Sequence, residues 1–367
     1  MPSRRVAVIG AGAAGLVAAR ELLREGHSPV VFERAAGVGG TWLYNGEASA
    51  EPLGAGGVHG SLYASLRTNL PRECMGFLDF PFVADEDSVD PRRFPGHQEV
   101  LRYLQAFARW FDLHGLIRLE AEVVSVRRSG DASWSVSYCR RKLAGADAGG
   151  ELQEEEEQSE VFDAVVVCNG HFAEPRLAEI AGKLDDEEAG VVAVDDNRVG
   201  PLYKHVFPPR LAPRISFIGL PFKAIPFLVF QLQSSWVAGV LSGRIELPPP
   251  KEMMQDVAAF YTDMEACGRP KRFTHDLGAS LFEYEDWLVE RCGLERIEEW
   301  RKAIYVAARG RQGLFFHSGP MAPLIINNDE VQGETFAPGQ IFVFGGFALR
   351  ANSLGHLEQI ESYAPGH

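Results

Sequence analysis

The first forty-two residues carry the types and spacing that hold a dinucleotide. GAGAAG at Gly10–Gly15 fits the pattern G-x-G-x-x-G, with Ala13 and Ala14 in its variable positions. Gly10 permits a sharp turn, and Gly12 lets the backbone approach a pyrophosphate. Gly15 lets the following helix pack closely on the preceding strand. The pyrophosphate then faces the positive end of that helix. Glu33, followed by Arg34, lies 18 residues past Gly15, where a carboxylate accepts hydrogen bonds from ribose hydroxyls. The loop alone serves FAD and NAD(P) equally. FAD is favoured by the loop's place at the very N-terminus and by GVGGTW (Gly37–Trp42) directly after the acid. A second glycine turn there, Gly39–Gly40 with Thr41, brings backbone amides to the far half of a larger dinucleotide. Trp42 is placed to cover the ring system. The competing readings are a glycine turn with no ligand and an NAD(P)-dependent dehydrogenase.

The elements that must position these residues are legible nearby. VAVIGAGAAGLVAARELLREG (Val6–Gly26) reads as strand, turn and helix, and SPVVFER (Ser28–Arg34) as a second, parallel strand. A helical apolar stripe runs through His97–Leu113. Ala121–Ser129 and Ser133–Arg141 alternate as two antiparallel strands. Gly145–Glu160, Gly-rich and acidic, reads as a solvated loop. Phe162–Gly170 and Ile215–Pro221 are apolar strands that end in glycine turns. Helices are expected over Phe230–Gly243, Glu252–Glu265 and Glu283–Gly293, and the aromatics between Phe217 and Trp236 are expected in the core. Gly310–His367 shows no clear period and is assigned no role.

Of the 367 residues, 46% are hydrophobic and 23% charged, with a formal net charge of −14. An acidic chain is repelled by phosphate backbones, which argues against nucleic acid. Five scattered cysteines form no CxxC pair and suggest reduced thiols in the cytoplasm, with no metal site. No secretory leader is expected, since the first apolar strand breaks at Gly10. No membrane span is expected either, because Pro221, Lys223, Pro226, Gln231 and Gln233 interrupt the most apolar stretch, Ile215–Val240.

The sequence also resembles the flavin-containing monooxygenases, in particular the plant branch that oxygenates thioether sulfur. The stretches that carry the likeness are GAGAAG…FER…GVGGTW, SLYASLRTNLPRECMGFLDFPF (Ser61–Phe82), RFPGHQEVLRYLQAFA (Arg93–Ala108), VVVCNGHFAEP (Val165–Pro175), VGPLYKHVFPP (Val199–Pro209) and FIGLPFKAIPF…QLQSSWVAGVLSG. Together they span about Val6 to Arg309. The resemblance implies an FAD enzyme, an oxidoreductase reduced by NADPH. Such an enzyme adds dioxygen at the flavin C4a position and passes one oxygen atom to a soft thioether or amine nucleophile. It further implies that Asn69, in LRTNLP, lies near the flavin ring as a neutral hydrogen-bonding side chain. On the residues alone, Asn69 reads rather as a turn cap before Pro71, and it is the resemblance that favours the flavin role. Arg67 and Thr68 are candidates to hold the flavin, with a surface salt bridge as the alternative for Arg67. Gly170 would allow a backbone approach. Gln231 and Gln233 would begin a helix facing the flavin, or else lie on a half-exposed helix face. His97 is expected at a helix N-terminus rather than in the chemistry.

The sequence departs from that family at one place. The second nucleotide loop, of G-x-S-x-S-A type, and the signature F-x-G-x-x-x-H-x-x-x-Y before it are both missing. The segments that should flank them are joined by KLDDEEAGVVA (Lys183–Ala193). The expected architecture is therefore α/β: a Rossmann-type FAD-binding domain of the two-dinucleotide-binding-domain flavoprotein kind, its NADPH-binding unit deleted. Residues 1–182 and 191–309 would build the FAD domain, 183–190 the junction, and 310–367 an irregular tail. Two functions follow: a flavin-dependent monooxygenase, or an impaired FAD-binding isoform without productive NADPH binding.

Overall fold

A computed structural model describes residues 3–44, 65–130, 133–140, 156–170, 192–316, 341–344, 347–351 and 357–359. In chain order the elements are β1 (Arg5–Ile9), α1 (Ala13–Arg24), β2 (Ser28–Phe32), α2 (Arg72–Met75), α3 (His97–Trp110), β3 (Ile117–Arg118), β4 (Ala121–Ser129), β5 (Ser133–Arg140), β6 (Glu156–Phe162), β7 (Ala164–Val167), β8 (Ala193–Asp195), β9 (Arg198–Gly200), β10 (Ile215–Phe217), α4 (Pro226–Ser242), α5 (Pro250–Ala266), α6 (Leu281–Cys292), α7 (Glu299–Phe316), β11 (Ile341–Phe344), β12 (Phe347–Ala351) and β13 (Leu357–Gln359).

The central sheet is wholly parallel, in the order β10-β7-β1-β2-β3. Val6, Ala7 and Val8 are completely buried, as a strand covered on both faces must be. Strands from both sides of the expected 183–190 junction lie side by side: β7 precedes it, β10 follows it, and Val165 pairs with Ile215. The junction itself lies outside the described residues.

On one face, α1 packs against α4. Helix α4 starts with Pro226 in its first turn, where proline's missing N–H costs no hydrogen bond. It ends at Gly243 in the left-handed conformation. Between these limits it is apolar all round and almost wholly buried, so it is a core helix rather than an amphipathic one. Phe217, Phe227 and Trp236 are in the core as expected. On the other face, the antiparallel sheet β4-β5-β6 presents Trp134, Tyr138 and Phe162 to Ala7 and Phe32.

Three expectations are corrected. The acidic segment is not loop to its end, because Glu156–Phe162 pairs in register with β5. There Glu160 bonds Arg5, Arg118 and Tyr138, which exchanges solvation of the carboxylate for fixed cationic partners. Helix α4 begins four residues earlier than its apolar period suggested, at Pro226. Beyond Gly310, α7 continues to Phe316, and β11–β13 form their own antiparallel sheet.

Candidate functional site

Three strands of the parallel sheet finish side by side, and each is followed by a glycine at a positive φ that other residues rarely adopt. They are Gly10 (φ 101°) after β1, Gly170 (φ 77°) after β7 and Gly219 (φ 90°) after β10. Ligands of open parallel sheets bind at this carboxyl edge. Gly10 and Gly15 of the first motif have a measurable steric reason. A Cβ on Gly10 would lie 2.6 Å from the Cys168 carbonyl oxygen, and one on Gly15 would lie 1.8 Å from the Gly10 carbonyl oxygen. The second turn docks on the first: Gly39 N–H donates to the Ala11 carbonyl at 3.0 Å. A Cβ on Gly40 would come within 2.9 Å of Gly12 Cα. Helix α1 begins at Ala13 with no side-chain cap and no acid in its first turn, so its positive end remains available to an anion.

Glu33 is buried, and its carboxylate is aimed by two backbone donors. Ala11 N–H reaches Oε2 at 2.7 Å and Ala35 N–H reaches Oε1 at 2.8 Å. Each oxygen retains a lone pair for a ribose hydroxyl. Uncapped helix terminus, touching glycine turns and oriented acid together fit the dinucleotide FAD, whose chemistry this donor set would serve.

The remaining candidates fall into two groups. Arg34, Gly40, Thr41, Asn69 and Gly170 are solvent-exposed, and Trp42 is half-buried against the core. Asn69 stands between the Arg67–Gly96 bridge and α2. Thr68 is buried behind it, and its hydroxyl has no hydrogen-bond partner. The second group faces inward. Arg67 pairs with Asp90 at 2.9 Å and donates to the Phe94 carbonyl at 2.6 Å. It therefore braces its loop, as the salt-bridge reading anticipated.

Gln231 and Gln233 are not on a half-exposed face, and each spends its amide oxygen and one amide hydrogen on the protein itself. Gln231 accepts from Leu78 N–H at 2.7 Å and donates to Asp79 at 3.1 Å. Gln233 accepts from Gly219 N–H at 3.0 Å and donates to the Tyr284 hydroxyl at 2.9 Å. Both are buried because α4 is buried on every side. His97 is the first residue of α3, as expected. It is 2% exposed, and neither ring nitrogen has a hydrogen-bond partner.

Two contributors were not singled out from the sequence. Gly219 was visible only as a turn glycine after a short strand. Cys168 packs at the end of β7 near Gly15; burial pushes its thiol well above the usual range, so it stays protonated and serves as packing.

A model of flavin-binding monooxygenase-like proteins matches residues 3–181 and 184–280. This chain belongs to that family. Family relatives include the Arabidopsis thaliana flavin-containing monooxygenase FMO GS-OX-like 4, 40% identical over 421 residues, covering 83% of this chain and 91% of the relative. FMO GS-OX2 of the same plant is 38% identical over 428 residues, covering 86% and 90%. Among solved structures, the S-allyl-L-cysteine S-oxygenase from Allium sativum superposes with a TM-score of 0.73 at 38% identity, covering 86% of this chain and 94% of that one. A flavin-binding monooxygenase-like chain has an FAD-binding Rossmann-type fold, and its relatives are FAD-dependent, NADPH-using enzymes. Among its described residues no helix is long and apolar enough to cross a membrane.

Proposed function

We propose that this chain holds FAD as a thioether- or amine-directed monooxygenase whose NADPH-binding unit is missing, so that NADPH reduces it poorly. The observation that carries the reading is the single nucleotide cradle among the described residues. One sheet is parallel, and the other sheets among the described residues are antiparallel. The family match is interrupted between residues 181 and 184, which supports a break at the start of the proposed junction 183–190. The alignments of 421 and 428 residues exceed the chain's own 367, so the relatives carry stretches without a counterpart here. The Allium protein, named for a thioether substrate, supports a small thioether as substrate with dioxygen as co-substrate. Five scattered cysteines without a CxxC pair support a reducing compartment such as the cytoplasm.

FAD, when bound, supplies the electron transfer that sends one oxygen atom of dioxygen to the substrate and the other to water. The protein binds, orients and excludes water. Gly10–Gly15 and Glu33 hold the dinucleotide, and Gly39–Gly40 with Thr41 close on its other half. Trp42 shields the ring. Asn69 offers a neutral amide beside it, adding hydrogen bonds without charge. A nicotinamide without its own pocket loses its orientation toward the flavin, and such positioning is worth ~7–11 kcal/mol.

The test is anaerobic NADPH addition to the yellow, FAD-loaded protein, followed at the flavin absorbance band. Slow bleaching is expected, together with hydrogen peroxide in excess of sulfoxide once the chemically reduced protein meets air. Bleaching complete within the mixing time would overturn the reading.

A further inference from the structure

We infer that Gln233 is a positioning residue for the cofactor, acting through the Ile218–Gly219 peptide at the carboxyl edge of the sheet without touching the ligand. The side chain is completely buried, yet both halves of its amide are committed. Oε1 accepts Gly219 N–H at 3.0 Å, and Nε2 donates to the Tyr284 hydroxyl oxygen at 2.9 Å. Tyr284 has a single hydroxyl hydrogen, which it gives to the Lys204 carbonyl at 2.9 Å. Its oxygen can then only accept from Gln233. The Lys204 carbonyl therefore settles, through Tyr284, which way the amide of Gln233 faces: oxygen toward Gly219, nitrogen away from it.

The consequence lies at the strand end. Ile218 N–H is bonded to the Val167 carbonyl at 3.0 Å, and Gly219 N–H is drawn toward α4 by Gln233. In a planar trans peptide the Ile218 carbonyl must point the opposite way from Gly219 N–H, away from α4. Gly219 tolerates this at φ 90° with the Phe230 ring 3.0 Å from where a Cβ would sit. Without Gln233 the buried Gly219 N–H would lack an acceptor, and this peptide would be free to turn. The strand end beside Gly10 and Gly170 would then lose its fixed shape. The inference rests on FAD occupying this crevice.

The experiment titrates FAD into the apo chain, following flavin fluorescence, and then records the absorption band and midpoint potential of the loaded protein. Failure of the unmodified chain to bind FAD would refute the cofactor reading itself. If it binds, Gln233→Leu is expected to weaken FAD about tenfold, the equivalent of one net hydrogen bond, and to shift the band and the potential. A purely structural glutamine would lower the thermal midpoint of the apo chain and leave the affinity, band and potential of the folded fraction alone; that result overturns the inference. Should Gln233→Leu fail to fold, Tyr284→Phe keeps the packing but frees the amide to turn. About threefold weaker FAD binding with a shifted band is expected, and an unchanged affinity and band overturn the inference equally.

Discussion

At the scale of single residues, the glycines of the cradle are not interchangeable, and their differences are measurable. Gly15 lies in α1 and adopts no unusual backbone angle; its constraint is purely spatial, since an added methyl would meet the Gly10 carbonyl at 1.8 Å. Gly26, by contrast, has φ 82° and open space around it. Gly15→Ala is therefore expected to destabilise the fold by about 1–3 kcal/mol or more through overpacking and to abolish FAD retention. Gly26→Ala should cost about 1 kcal/mol of backbone strain and leave the protein yellow. Thermal unfolding and the flavin content of the purified variants decide this; equal flavin loss in both would remove the steric account. The cradle glycines and Glu33 were readable in the sequence because the motif is contiguous and its geometry is dictated locally. The roles of Gln231 and Gln233 were not. Their partners are scattered along the chain, Leu78 after α2, Gly219 in the turn after β10 and Tyr284 on α6, and no local pattern says which way a glutamine on a core helix will point.

At the scale of elements, local period gave β1, α1, β2, α3, β4 and β5, while composition misled at β6. Glu156–Glu160 looks like a solvated run, and its pairing with β5 is fixed by cross-strand register and by Arg5 and Arg118, which lie far away in the chain. Helices α6 and α7 raise a different matter. Glu285 on α6 is completely buried, and neither carboxylate oxygen has a hydrogen-bond partner. Burial pushes its carboxyl up to about 8, opposed in part by Lys302 and Arg301. Unfolded, the group titrates at its ordinary 4.5. Between these values the folded state holds a proton that the unfolded state has lost, so stability falls as pH rises from 4.5 to about 8. Glu285→Gln removes that slope. Urea midpoints at pH 5 and pH 9 should show a gain over the unmodified chain that is small at the lower pH and larger at the higher. A gain independent of pH would show that the carboxyl does not titrate in this window.

At the scale of the whole molecule, β7 and β10, which lie on either side of the proposed 183–190 junction in the chain, pair in the parallel sheet. A chain arranged this way can lose what lies between without breaking the sheet. The converse is a prediction: inserting, between residues 182 and 184, the stretch by which FMO GS-OX-like 4 exceeds this chain should restore fast anaerobic flavin bleaching by NADPH. A bleaching rate unchanged by the graft, in a protein that still binds FAD, would show that the junction is not where reduction was lost. The same arrangement bears on synthesis. Helix α1 is complete at Arg24, but α4, which covers it, begins only at Pro226. At roughly 5–20 residues per second on the ribosome, about 10–40 s pass before the covering helix exists. During that interval Leu16, Val17 and Leu22, fully buried in the finished protein, face water or a chaperone.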